Sequence, residues 1–201
     1  MLVNGFKLPN AFLQLSQALE RGGTSLFLLK EQVDVYGNRF EGGLHLWTAD
    51  EASRSGTDWL AEHYGTDRMS PEEIQTLNDD TADDPGMIPY LSDFSKIVCF
   101  GEEIGMSDPF CFDFRENLQE PSIICVDDWY WRRVAPNFEE FIGLYRPSRF
   151  VVSEVEAEKT FGSTPDWKSV LEKHMCSREA LAITEEVLSK IQAGREERKA
   201  S

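Results

Sequence analysis

The spacing of apolar residues changes from a strand period to a helix period within the middle third of the chain. In PFCFDF, residues 109–114, phenylalanines occupy every second position, which is typical of a strand with one aromatic face. The apolar run at 122–126 predicts a second strand paired with the first. Asp127-Asp128 marks a turn, and 129–134 predicts another extended segment.

A capped helix is predicted directly after these strands. Asn137 is a residue type favoured as an N-cap, and Glu140 stands three residues later, as in a capping box. Apolar residues then recur at the spacing of one helical stripe: Phe138, Phe141, Ile142 and Tyr145. Pro147 closes this unit.

Helices and short strands precede this segment. A first helix is predicted from Leu8-Pro9 to Gly22-Gly23, and a second is capped by Thr48 or Asp50 and runs to about Tyr64. Apolar runs predict strands at 25–30, 44–47 and 96–100.

The polar segment between these elements predicts little regular structure. Ser70-Pro71 has the residue types that begin a short helix, and 78–86 is predicted to be a loop. Its four aspartates lack the spacing of a calcium-binding loop, so a solvated loop is the favoured interpretation. Gly101 to Gly105 is predicted to be a turn, since its two glutamates oppose anion binding.

The composition changes after Pro147, which divides the chain into an α+β domain at 1–147 and a helical extension at 148–201. Thr164-Pro165 predicts one helix start, and a last helix runs from Ser177 to Gly194, followed by a frayed, charged tail. Packing of this extension on the main domain is the favoured interpretation, and a partner-binding surface is the alternative.

The net negative charge of the chain comes from one segment. Between Asp50 and Asp128 there are 20 acidic residues against 4 basic ones, so this segment alone has the formal charge of −16 of the whole chain. One interpretation is a solvated surface that aids solubility, and the other is a face that attracts a basic protein partner. Nucleic-acid binding is disfavoured because phosphates would be repelled.

The chain shows no motif for metal binding or catalysis. The cysteines form no C-x-x-C pair and are predicted to be mostly buried free thiols: Cys99, Cys111, Cys125 and Cys176. The histidines share no ligand spacing: His45, His63 and His174. We therefore expect no metal, no cofactor and no enzymatic activity. A metal-dependent hydrolase that uses the aspartate-rich segment is the less favoured alternative.

The location of the protein is predicted from what its hydrophobicity profile lacks. No run of 18 apolar residues is present, so no transmembrane helix is expected. The N-terminal segment has neither the basic nor the long apolar region of a signal peptide. We therefore predict a cytoplasmic protein without membrane contact.

Three segments together resemble the SUKH superfamily, which includes the yeast cell-wall-assembly regulators. They are the Leu8-Pro9 helix, the phenylalanine-rich strand bearing Asp113, and the helix start at 134–141, where Asn137 replaces the usual serine. The resemblance covers about 5–146. It implies an α+β fold with a mainly antiparallel sheet flanked by helices, to which this chain adds the C-terminal helical extension.

The resemblance also implies a function in protein binding. Many bacterial members look like immunity proteins that block toxins, eukaryotic members act as interaction hubs, and no family-wide catalytic residues carry over. An immunity protein that neutralises a basic toxin domain is the favoured hypothesis, and a regulatory scaffold is the alternative. The candidate contact residues are Asp108, Asp127, Asp128, Trp129 and Trp131. Core packing is the alternative role for the two tryptophans.

Overall fold

The computed structural model describes residues 2–21, 26–28, 32–33, 39–40, 43–54, 57–65, 69–81, 86–91, 93–103, 108–127, 130–147 and 178–200. The strands of this part are β1 (Leu2–Val3), β2 (Phe6–Lys7), β3 (Leu26–Leu28), β4 (Gln32–Val33), β5 (Arg39–Phe40), β6 (Gly43–Leu46), β7 (Met87–Ile88), β8 (Ile97–Glu103), β9 (Pro109–Asp113), β10 (Ser122–Asp127), β11 (Tyr130–Ala135) and β12 (Tyr145–Pro147). The helices are α1 (Asn10–Glu20), α2 (Ala49–Arg54), α3 (Thr57–Tyr64), α4 (Pro71–Thr81), α5 (Phe138–Ile142) and α6 (Arg178–Ala200).

Eight of the described strands form one sheet in the order β12-β3-β6-β8-β9-β10-β11-β7. Every pairing in it is antiparallel. Two smaller antiparallel pairs, β1 with β2 and β4 with β5, stand apart from it. The predicted α+β class with a mainly antiparallel sheet is confirmed, as is the predicted pairing of β9 with β10. The extended segment predicted at 129–134 contains β11, which pairs with the other edge of β10.

One side of the sheet, here called the phenylalanine face, carries four buried rings: Phe100, Phe110, Phe112 and Phe114. The ring of Phe112 lies 5.4 Å from that of Phe12 on α1 and 5.5 Å from that of Phe138 on α5. Residues of α1, α2, α5 and α6 belong to the same buried cluster. Interlocking aromatic side chains of this kind contribute a large share of core stability.

The opposite side, here called the tryptophan face, has a second buried cluster: Leu60, Leu91, Phe94, Ile97, Cys99, Cys111, Ile124, Val126 and Trp131. The two clusters are separate because successive side chains of a strand point to opposite sides, so Cys111 lies between Phe110 and Phe112 in sequence but across the sheet from them. Trp59 and Tyr64 of α3 are only partly buried at the margin of the tryptophan face.

The turn predicted from Gly101 to Gly105 is wrong in its first half, because β8 continues through Glu103. A register irregularity between Cys99 and Gly101 accommodates an extra residue opposite β9. A Cβ atom at Gly101 would lie 2.7 Å from the backbone oxygen of His45 on β6. The glycine therefore permits close approach of two strands there.

The capping residues predicted for two helices are confirmed. The Thr48 amide donates to the Glu51 carboxylate at 2.7 Å, and the Glu51 amide donates back to the Thr48 hydroxyl at 3.2 Å. Ser70 and Glu73 exchange the same bonds at the start of α4. The predicted single helix up to Tyr64 is two helices, α2 and α3.

The loop predicted to begin at Asn78 is also wrong in its first part, since α4 continues to Thr81. The Gln75 amide donates to the Asp79 carboxylate at 2.7 Å, a side-chain pair at helical i,i+4 spacing. The Asn78 side chain accepts a bond from the Tyr90 amide at 2.8 Å, which ties this last turn to the following segment. These bonds offset the low helix propensity of the residues involved.

The last helix runs past its predicted end. Gly194 lies inside α6, and the predicted frayed tail is helical to Ala200. The Glu140 carboxylate, expected to complete a capping box with Asn137, accepts bonds from Arg195 at 2.9 Å and Arg198 at 3.0 Å instead. Asn137 still caps α5 by accepting from the Glu140 amide at 2.9 Å.

Apolar residues of α6 complete the phenylalanine-face cluster: Val187, Leu188 and Ile191. The described part of the C-terminal extension therefore packs in cis on residues of the first 147. The other predicted helix start at Thr164 lies outside the described residues, as does Ser177. Tyr145, placed in the α5 stripe by its spacing, begins β12 and is buried there.

Asp113 forms a buried ion pair at the far end of β9. Its carboxylate is 1% exposed and accepts from the Arg115 guanidinium at 2.9 Å and 2.7 Å, and from the Arg115 amide at 3.0 Å. A two-pronged contact of this type fixes the start of the loop that leads to β10.

Candidate protein-binding site

The sheet brings acidic residues together at one end of its central strands. The Glu103 amide, at the end of β8, donates to the Asp108 carbonyl just before β9 at 3.0 Å. In the next pairing Cys125 lies opposite Phe110, so the same register places the backbone of Asp127 opposite Asp108. We call Glu102, Glu103, Asp108 and Asp127 the acidic end.

Glu102 contributes an accessible carboxylate to the acidic end. It lies opposite His45 on β6, and its Oε1 atom is 3.0 Å from the His45 Nδ1 atom. The two side chains are 33% and 56% exposed. A partner can therefore reach this carboxylate from solvent.

The pKa of Tyr64 is affected by negative charge at the acidic end. Its pKa is raised to about 12, chiefly by burial and next by the charge of Asp108. A carboxylate disfavours ionisation of a nearby phenol because both would be negative. Asp108 therefore lies close enough to α3 for its charge to act on this helix.

The structure places Trp131 in the core, so its predicted contact role is not supported and core packing, the alternative interpretation, describes it. The side chain is 1% exposed. Alternation along β11 directs it to the tryptophan face, where Tyr64 and Phe94 each lie 5.8 Å from its ring. A ring enclosed in this way cannot contact a partner without displacing its neighbours.

A chain of aromatic rings connects this buried tryptophan to the surface. The Tyr64 ring lies 5.9 Å from that of Trp59, and the Trp59 ring lies 4.8 Å from that of His63. His63 is exposed and Trp59 is partly buried. In this chain of rings, the members that reach solvent belong to α3.

Contact with a partner stays a prediction for the other candidate residues. Asp108 is partly exposed at the acidic end, and Asp127 is the last residue of β10. Asp128 and Trp129 lie outside the described residues. The register accounts for why Asp108 and Asp127 belong to one site although they are far apart in sequence.

The sequence interpretation missed Glu102, Trp59 and Tyr64. Glu102 was not identified as a candidate contact residue because the glycines around the Glu-Glu pair indicate a turn. Trp59 and Tyr64 lie on a predicted helix whose position relative to the sheet has no sequence signal. The available signal was the alternation of β6, which places His45 and Glu102 as cross-strand neighbours once their pairing is known.

Comparison with known proteins identifies the family. The sequence model of the SMI1 / KNR4 family (SUKH-1) matches residues 3–143. The chain belongs to this family. No curated protein and no solved structure gives a significant match. SUKH-1 membership is consistent with an immunity or regulatory module, and the family is generally a non-catalytic binding fold. The matched region contains the acidic end and α3, but not α6.

A metal-dependent hydrolase would need a cluster of metal ligands. Among the described residues, no group of three or more His, Cys, Asp or Glu side chains is placed to hold a metal ion. Asp79 of the aspartate-rich segment is exposed on α4, and Asp83 and Asp84 lie outside the described residues.

Two further predictions concern the cysteines and the membrane. Cys99, Cys111 and Cys125 are buried free thiols, as predicted, and burial raises the pKa of the Cys111 thiol well above its usual value. Cys176 lies outside the described residues. Within the described chain, no helix combines the length and the apolar character that spanning a bilayer requires.

Proposed function

We propose that this SUKH-1 protein is an immunity protein that binds a basic toxin domain through its acidic end and blocks the toxin by covering its surface. The observation that carries the proposal is that strand pairing brings the backbone positions of Glu102, Glu103, Asp108 and Asp127 to one end of the sheet. Family membership supports a binding role without catalysis.

The charge distribution supports a basic partner. The segment from Asp50 to Asp128 holds an excess of 16 negative charges. Such a surface accelerates association with a positively charged protein and makes it dependent on ionic strength, since screening acts over about 10 Å at 0.1 M salt. Glu102 and Asp108 are each partly exposed, which direct contact also requires.

A capture experiment with matched variants tests the proposal. The protein is immobilised, exposed to lysate of its host at low salt, and eluted by a salt step, and each recovered protein is purified for affinity measurement. The test variant is Glu102→Gln with Asp108→Asn. The control variant, Glu185→Gln with Glu196→Gln, removes the same charge from exposed positions of α6.

The proposal predicts that a basic toxin domain is recovered and that coexpression with this protein suppresses its toxicity. Loss of two surface ion pairs, at about 0.2–1 kcal/mol each, should weaken binding by about 2- to 30-fold in the test variant. The control variant should bind like the wild type. Recovery of a basic protein without toxicity would favour a regulatory scaffold, and equal affinity of the two variants would contradict the assigned surface.

A further inference from the structure

We propose that the basic partner is recognised through an arginine side chain that lies on the ring of Trp59 and points toward the acidic end. This inference rests on the proposed function, because it names the chemistry by which the same site holds its partner. It assigns the aromatic contact to α3, whereas the sequence assigned it to the tryptophans near β11.

The first argument is the accessibility of the Trp59 ring. Leu60, the next residue, is fully buried and anchors α3 on the tryptophan face. Trp59 is packed against that cluster on one side and remains partly exposed. The His63 ring packs on part of the Trp59 ring, with the two centroids 4.8 Å apart, and the His63 Nδ1 atom is 2.9 Å from the Trp59 carbonyl oxygen. A partner therefore contacts the part of the Trp59 ring that His63 and the buried cluster leave exposed.

Other aromatic rings pack between Trp59 and the core. Tyr64 contacts Trp59 at 5.9 Å and the fully buried Trp131 at 5.8 Å. A partner side chain placed on Trp59 would therefore meet a surface whose supporting rings are already ordered. Little side-chain entropy is then lost on binding, a property of residues that dominate interface energies.

Negative charge lies near Tyr64 and Trp59. Burial and, after it, the charge of Asp108 raise the pKa of Tyr64, which contacts Trp59, and Glu62 is exposed three residues after Trp59 on the same helix. An aromatic face attracts a cation, and carboxylates nearby add to that attraction. Both features together define a site for a basic side chain and disfavour an acidic or a purely apolar one.

Arginine fits this arrangement better than lysine. Its guanidinium is planar, so it can lie flat on the indole while its N–H groups point outward to carboxylates. A lysine ammonium is compact and strongly hydrated, and it gains less from the flat ring. The two residues should therefore differ in affinity at Trp59 although their charge is equal.

Calorimetric titration with nona-arginine and nona-lysine at low salt tests the inference on the full chain. Nona-arginine should bind about two- to fivefold more tightly than nona-lysine, the range of an exposed cation–π contact. Trp59→Leu keeps an apolar side chain on α3 and should remove this preference, whereas Trp59→Phe should keep part of it. Leu118→Ala removes an exposed apolar side chain between β9 and β10 and should leave both affinities unchanged.

The possible results separate the inference from the proposed function. If both peptides bind, lose affinity in the Glu102→Gln, Asp108→Asn variant, and show no difference that depends on Trp59, the arginine contact is overturned and the acidic surface stands. If neither peptide binds, both are overturned. Thermal melting verifies that each variant is folded. If Trp59→Leu does not fold, the peptide preference is measured with Trp59→Phe instead.

Discussion

The two faces of the central sheet differ in how completely their aromatic residues are enclosed. On the phenylalanine face, Phe100, Phe112 and Phe114 are 0% exposed beneath four helices. On the tryptophan face, rings lead outward from Trp131 to the partly exposed Trp59. The first arrangement stabilises the fold, and the second leaves an ordered aromatic surface beside carboxylates.

This difference shows how one strand serves two purposes. β9 contributes phenylalanines to one face and Cys111 to the other, and Asp108 of the acidic end directly precedes its first residue. Since successive side chains point to opposite faces of the sheet, the binding surface can change without disturbing the phenylalanine packing. We therefore expect substitutions on the two faces to differ sharply in their effect on stability.

The largest expected effect is the loss of a ring from the phenylalanine face. Phe112→Ala should lower the free energy of unfolding by about 3–5 kcal/mol, because it removes a fully buried ring and leaves a cavity. Trp59→Ala, at a partly exposed ring, should cost less, about 0.5–3 kcal/mol. Urea denaturation of both variants measures the contrast, and equal losses would break the distinction between the faces.

A smaller effect is expected where charge is buried at the far end of β9. Arg115→Ala leaves the Asp113 carboxylate buried without its guanidinium, which should cost about 1.5–3 kcal/mol, since Arg115 itself is one-third exposed. The double variant Asp113→Asn, Arg115→Ala should recover part of this loss. A double-mutant cycle in urea measures the coupling, and additive losses would show that the ion pair contributes nothing.

The contribution of α6 to the phenylalanine face is tested by its contact with α5. Arg195→Ala removes a partly buried bond to Glu140 and should cost about 1 kcal/mol. Lys190→Ala removes an exposed pair with Glu186 on the same helix and should cost at most about 0.5 kcal/mol. Thermal melting compares the two, and an equal effect would indicate that α6 is held by its apolar residues alone.

The smallest expected effect concerns the ionisation of Tyr64. Its pKa is about 12 in the folded chain against an ordinary value of 10.0, so the fold favours the neutral phenol. This contribution to stability is complete below pH 10 and is lost as the pH rises toward 12. In a titration of near-ultraviolet phenolate absorbance, Asp108→Asn should move one transition to lower pH, and Tyr64→Phe should remove it. An unchanged titration in Asp108→Asn would show that the charge of Asp108 at the acidic end does not act on α3.

The parts of the fold that local spacing determines were predicted, and those that depend on pairing between strands distant in sequence were not. The phenylalanine period of β9 and the caps at Thr48 and Ser70 involve residues within a few positions of one another, so sequence alone identifies them. Gly101 was interpreted as a turn because glycine serves both turns and close strand contacts. Only the pairing of β8 with β6 distinguishes the two.

The candidate site shows the same limit. Asp108 and Asp127 were predicted from charge, but their shared end follows from the β9–β10 register. Trp129 and Trp131 are two positions apart in a predicted extended segment, and nothing local indicates whether a side chain there is covered. The burial of Trp131 is decided by α3 and the segment containing Phe94, which are distant in sequence.

The most direct test of the central claim is a map of chemical-shift changes in the amide and indole N–H signals of the labelled protein on addition of nona-arginine. We expect the changes to concentrate at the Trp59 indole and at the amides of Tyr64, Glu102, Glu103 and Asp108. The loop around Leu118 and the exposed side of α6 should remain unchanged. Changes centred on that loop or on α6, with Trp59 and the acidic end unaffected, would contradict the assignment of binding to the tryptophan face and the acidic end.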